Sequence, residues 1–181
     1  MWCICKLQHT LTVLLLIPLG LFAQPKSIQH TLEVNSSYSV LEMEFDSFTS
    51  ANLYGLEFSY YAQKNSPLFG GITGQYGSDF DGTSKIDFGL QVGFIIFPGQ
   101  PVQIPVGGIL GVHYIDQNTN NHTGHYFGGS SGIKFILSDR FGINLMGQYQ
   151  HNVISKINNK QVREIEPYNS LVLSAGFTFI L

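Results

Sequence analysis

The chain has 181 residues, 12% of them charged and 44% hydrophobic, with a formal net charge of −3 at pH 7. A soluble domain carries about 25% charged residues, so this shortage argues against an ordinary water-facing surface. There is no basic stripe, and no nucleic-acid partner is expected.

Residues 1–23 come first: Lys6, an apolar stretch from Leu11 to Phe22 broken by Pro18 and Gly20, then the small residue Ala23. A short apolar core ending in a small residue reads as a cleavable secretory signal rather than a membrane anchor, which needs about 20 apolar residues. Cleavage after Ala23 would leave residues 24–181 as one domain. It would also remove Lys6, leaving 8 basic and 12 acidic residues, a balance of −4. Cys3 and Cys5 both precede that site. The remaining chain then has no disulfide and no thiolate metal site. Beyond residue 23 no run of 18 apolar residues exists, which excludes a bundle of membrane helices.

Eight segments then alternate apolar and polar residues with the period of a strand. They are about Thr31–Val40, Asn52–Ala62, Leu68–Ser78, Lys85–Phe97, Gln103–Ile115, His125–Leu137, Phe141–Asn152 and Asn169–Leu181. The fourth is the clearest. Ile86, Phe88, Leu90, Val92, Phe94 and Ile96 form one face, with Asp87, Gly89, Gln91 and Gly93 between them. The alternation slips at Leu41-Glu42-Met43, which suggests a bulge or the start of a loop. Connections alternate in length. Residues 63–67, 98–102 and 138–140 are short and turn-forming. About Leu41–Ala51, Asp79–Ser84, Asp116–Gly124 and Val153–Tyr168 are longer or more polar and read as external loops.

Alternation alone does not say which face is inside. In a soluble barrel the minor face would meet water and be rich in charge. Here it is mostly Gly, Ser, Thr, Asn and Gln, and its few charges, Glu33, Glu57, Lys85, Asp87 and Lys134, are of both signs. Small and hydrogen-bonding residues suit the filled interior of an eight-stranded barrel, and buried charges of opposite sign can pair. The expected fold is therefore all-β: an eight-stranded antiparallel up-and-down transmembrane barrel, apolar face toward lipid. Ile86, Phe88, Leu90, Val92, Phe94 and Ile96 would face lipid. Glu33, Glu57, Asp87, Gln91 and Lys134 would form a lumenal polar network. Tyr60, Tyr61, Phe69, Phe97, Tyr114, Tyr126, Phe127, Phe141, Tyr149, Tyr168 and Phe179 lie near strand ends, where interfacial aromatic girdles sit.

With this pattern the chain resembles the small outer-membrane barrels of Gram-negative bacteria, the OmpA/OmpX-like group. The junction Phe22-Ala23-Gln24 resembles Bacteroidota signal junctions. The ending Leu173–Leu181 resembles the C-terminal signal read by the barrel-assembly machinery, although that signal usually ends in an aromatic and here Leu181 is last. The Gly-x-Trp motif of lipocalins is missing, since the only tryptophan is Trp2. The resemblance implies an outer-membrane monomer reached after export, in contact with membrane lipids, lipopolysaccharide and, during biogenesis, the assembly machinery.

Candidate chemistry is sparse. His151, Ser155 and Glu164 are loosely similar to the His, Ser and acidic set of lipid A deacylase barrels. In those the Ser follows the His by two residues, where this chain has Val153. A serine nucleophile needs a base in hydrogen-bond reach and a group to orient it. His122 and His125 flank Thr123-Gly124 in what reads as a solvated Asn-rich loop, with only Asp116 as a further metal ligand. His113 falls on the minor face and reads as a hydrogen-bonded lumenal residue. No cofactor and no metal are expected. The reading that follows is a non-enzymatic barrel with an envelope-structural or surface-interaction role. The interaction surface would be its external loops, especially Lys156, Lys160, Arg163, Glu164 and Glu166. The alternatives are a lipid A hydrolase using His151, and a small-solute channel, which an eight-stranded bore disfavours.

Overall fold

The computed structural model describes residues 28–45, 48–64, 67–117, 120–158, 160–161 and 167–181, so residues 1–23 and their expected cleavage site lie outside it. Each alternating segment is a strand: β1 (Ile28–Phe45), β2 (Phe48–Lys64), β3 (Leu68–Ser78), β4 (Thr83–Ile96), β5 (Val102–Gln117), β6 (Asn120–Ser138), β7 (Phe141–Ile157) and β9 (Pro167–Ile180). A two-residue strand, β8 (Lys160–Gln161), pairs only with β7 and is not part of the wall. Every pairing is antiparallel and joins neighbours, and β1 pairs with β9 to close the sheet. The result is a closed eight-stranded barrel, with no helix among the described residues.

Closure satisfies backbone groups that an open edge would leave unpaired, the requirement a bilayer imposes. At the seam the N–H of Leu181 donates to the carbonyl of His30 (2.9 Å). The alternation settles the faces. Leu56 and Phe58 of β2, Ile86, Phe88, Leu90, Val92, Phe94 and Ile96 of β4, Leu110 and Val112 of β5, Leu145 of β7, and Leu173 and Phe177 of β9 are exposed on the outside. Glu33, Glu57, Lys85, Asp87 and Lys134 are 2–3% exposed on the inside. A water-filled bore would leave such side chains accessible. The lumen is instead filled, as the diameter of an eight-stranded barrel permits.

At the end away from the termini the two faces exchange character. Leu41, Met43, Ala51, Leu53, Ile115, Ile154 and Tyr168 point inward and form an apolar cluster, with Ile157 against it. Glu42, Asn52 and Lys156 are on the outside there. This exchange corrects the expected external loops. Leu41–Ala51 is strand up to Phe45 and again from Phe48, and Asp116–Gly124 and Val153–Ile157 are also largely strand. At this end the outer face is polar, as a water-facing surface is, while the inner face buries carbon. The register does shift between Leu41 and Glu44, as the slip in pattern suggests, but the strand continues through it. The wall is lowest at β3 and β4. There Asp79 Oδ1 accepts the N–H groups of Asp81 (3.0 Å) and Thr83 (2.7 Å), and Gly82 takes φ 92° to complete the turn.

The expected aromatic girdle is also corrected. Tyr61, Phe69, Tyr126 and Tyr168 point inward and are at most 7% exposed. Tyr60-Tyr61 and Tyr126-Phe127 are adjacent in a strand, so only one of each pair can face out. Phe97, Tyr114, Phe127, Tyr149 and Phe179 are on the outside.

Candidate functional site

The lumen is built in layers. Nearest the termini, Tyr61, Phe69 and Ile95 form an apolar plug. Above it, Lys134 Nζ lies 2.6 Å from Glu33 Oε1, the Tyr61 hydroxyl donates to the same oxygen (3.1 Å), and Thr178 donates to it at 3.3 Å. Lys134 also contacts the Tyr61 hydroxyl and stands 4.2 Å over its ring. Asn144 supports Thr178 (3.0 Å). A second cluster holds Lys85 between Asp87 Oδ2 (2.9 Å) and Gln150 Oε1 (3.0 Å), with Ser170 donating to Gln150 (3.0 Å) and Asn152 to Ser170 (3.0 Å). Gln91 donates to Ser130 (2.9 Å) across the intervening strand β5.

The expected network residues Glu33, Glu57, Asp87, Gln91 and Lys134 are thus all inside, but in separate clusters. Glu57 stands apart. Ser59 lies 3.4 Å from its Oε1, and no cation pairs with it among the described residues. A buried carboxyl without a cation is costly. Glu57→Gln is therefore expected to leave stability unchanged or raise it by about 1 kcal/mol, read as the urea midpoint of the folded barrel.

Higher in the lumen lie two features that strand periodicity does not show. Tyr126 is fully buried over glycines of neighbouring strands. A Cβ on Gly111 would come within 2.6 Å of its ring carbon Cζ, and one on Gly89 within 2.5 Å of its hydroxyl. Beyond it the rings of His113, His122 and Tyr168 meet, with centroids 5.7–6.4 Å apart. His113 is 3% exposed and makes no hydrogen bond among the described residues, unlike the bonded residue its position suggests. Gly124 makes room for it, since a Cβ there would be 2.7 Å from His113 Nε2.

His122 and His125 are in strand β6, not in a loop. They stand an odd number of residues apart, so His122 is buried and His125 is exposed on the other face. The wall keeps them from sharing one ion. His151 is on the outer face, its Nδ1 3.0 Å from Asn169 Oδ1 and its ring 5.1 Å from that of Phe127. Ser155 reaches His125 (3.5 Å to Nδ1) rather than His151, and Glu164 lies outside the described residues. Of the set His151, Ser155 and Glu164, the described residues therefore show a serine and a histidine that each have another partner. No carboxylate is bonded to His125 among the described residues.

The solved structures decide the fold. Neisserial surface protein A superposes with a TM-score of 0.60 at 15% identity, covering 85% of this chain and 97% of that one. A major outer membrane protein of Thermus thermophilus does so with a TM-score of 0.50 at 9% identity, covering 85% and 99%. The fold is that of the small OmpA/OmpX-like outer-membrane barrels. No protein-family model matches the chain, and no curated protein sequence matches it significantly. The barrel's chemistry therefore has to be read from its own surface. That surface offers an occluded lumen, an apolar outer belt and a polar collar.

Proposed function

We propose that the protein is a non-enzymatic outer-membrane barrel whose occluded lumen serves stability and whose polar collar is a surface for interactions outside the cell. One observation carries this reading. The exposed face is apolar around the wall, while the charged pairs Glu33–Lys134 and Lys85–Asp87 are inside. Only a lipid solvent favours that arrangement, because an apolar belt of this extent in water would drive aggregation. The outer-membrane fold of the two superposed proteins supports the location. The occluded lumen argues against conduction, and no steady single-channel current is expected in planar bilayers.

The direct test places one tryptophan on the belt. Leu90→Trp in a Trp2→Phe background leaves a single indole, because Trp2 is the only native one. In phospholipid vesicles its emission should be blue-shifted and quenched by brominated acyl chains. Water-like emission without quenching, from a chain that stays soluble without detergent, would sink the reading.

A further inference from the structure

Strand β7 carries one residue more than its partner near the external end. Gly124 pairs with Ile154, but the next pair is Thr123 with Lys156, so Ser155 is the extra residue of a β-bulge. Bulges re-aim side chains. Ile154 is buried and Ile157 packs on the inner apolar cluster, and between them Lys156 is exposed on the outside beside Thr123. Ser155 Oγ reaches outward to the exposed His125. The bulge thus turns Lys156 out beside the imidazole of His125 and the hydroxyls of Thr123 and Ser155, which alternation already places on the outer wall.

Beside them is an outward groove of about 480 Å³. Ile86, Phe88 and Val112 give it apolar walls on the β4–β5 side, and Thr123, His125 and Ser155 line it on the β6–β7 side. Among the described residues no carboxylate lines it; Asp116 stands in the next row, paired with Ser84 and Asn121. That row is polar, so the groove lies where the outer face passes from apolar to polar. The groove is open along the wall and not an enclosed cavity. Hydrocarbon walls and phosphate-binding donors at one membrane boundary match an amphiphile with an acyl chain and an anionic head. The chain's net charge of −3 supplies no general attraction for anions, so a preference for one must be local.

We propose that this groove binds one phosphorylated, acylated lipid of the outer leaflet. An acyl chain would lie along Phe88 and Val112, with the phosphate on Lys156, Ser155 and His125. The proposal rests on the membrane reading above. Its test uses the folded protein in neutral detergent micelles, with heat-modifiable gel migration confirming the barrel. Phosphatidic acid should bind at one per barrel and about tenfold more tightly than diacylglycerol with the same chains, the expected effect of charge-assisted hydrogen bonds. Inorganic phosphate should not compete. Lys156→Gln should abolish the preference for phosphatidic acid, and Val112→Trp, which fills the groove, should weaken both lipids. Equal affinity for the two lipids, full competition by inorganic phosphate, or a Lys156→Gln, Ser155→Ala variant that binds as the parent does would each overturn the site while leaving the barrel intact. A chain with no heat-modifiable form overturns the membrane reading and the site with it.

Discussion

Lys134→Met is expected to destabilise the folded barrel by about 3–5 kcal/mol, measured as a lower urea midpoint in micelles. The lysine is 2% exposed and within 2.6 Å of a carboxylate that is equally buried. Among the described residues, removing it leaves Glu33 with the hydroxyls of Tyr61 and Thr178 as partners. Two neutral donors do not replace a full positive charge in a dry interior. The double variant Glu33→Gln, Lys134→Met should recover most of the loss, because it removes both charges and keeps similar volume. A single variant that loses less than about 1 kcal/mol would show that the pair is hydrated and that the lumen is wetter than its burial indicates.

The second large effect is expected at a glycine. Gly111→Ala should cost about 3 kcal/mol, the upper part of the usual range for overpacking, and slow assembly into the heat-modifiable form. The new Cβ would lie 2.3 Å from the Phe88 carbonyl oxygen and 2.6 Å from Tyr126 Cζ. One neighbour is backbone and the other is a ring with no exposed surface, so neither yields cheaply. Gly108→Ala is the control. It is on the outer face of the same strand, and its Cβ would come no nearer than 3.8 Å to any atom. Its effect should stay within about 0.5 kcal/mol. Equal losses at the two positions would show that the cost comes from strand glycine replacement in general and not from the seat of Tyr126.

How far the sequence reveals this molecule depends on which physical signal is strong at each place. Strand β3 begins and ends where its sequence says, at Leu68 and Ser78, because Pro67 and Asp79 punctuate it. The strands beside the collar run longer than their patterns. The alternation there does not stop; it changes sign, and Leu41 and Met43 facing inward look like a slip when every inward residue is expected to be polar. The opposite charges of Glu33 and Lys134 were legible as a possible pair because their parity puts both inside. Their distance was not, since it depends on barrel tilt and stagger. The seat of Tyr126 on Gly89 and Gly111 involves three strands and leaves no trace in any one of them. Ser155 is the extreme case. The residue inserted there leaves Ser155 outward and turns its neighbour Lys156, which strict alternation would place inside, out beside Thr123, and bulges have no reliable sequence signature.

The collar sets what kind of epitope this protein offers. Its walls are hydrogen-bonded sheet and its interior is packed carbon, so its shape is fixed before any partner arrives. Binding a flexible loop costs the entropy of ordering it; a ligand that meets this collar avoids that cost but must fit what is already there. Antibodies raised against the folded protein should therefore read side chains from adjacent strands, such as Asn52 on β2 or Lys156 on β7. They should lose their target when the barrel is denatured, and linear peptides copied from the chain should be poor substitutes.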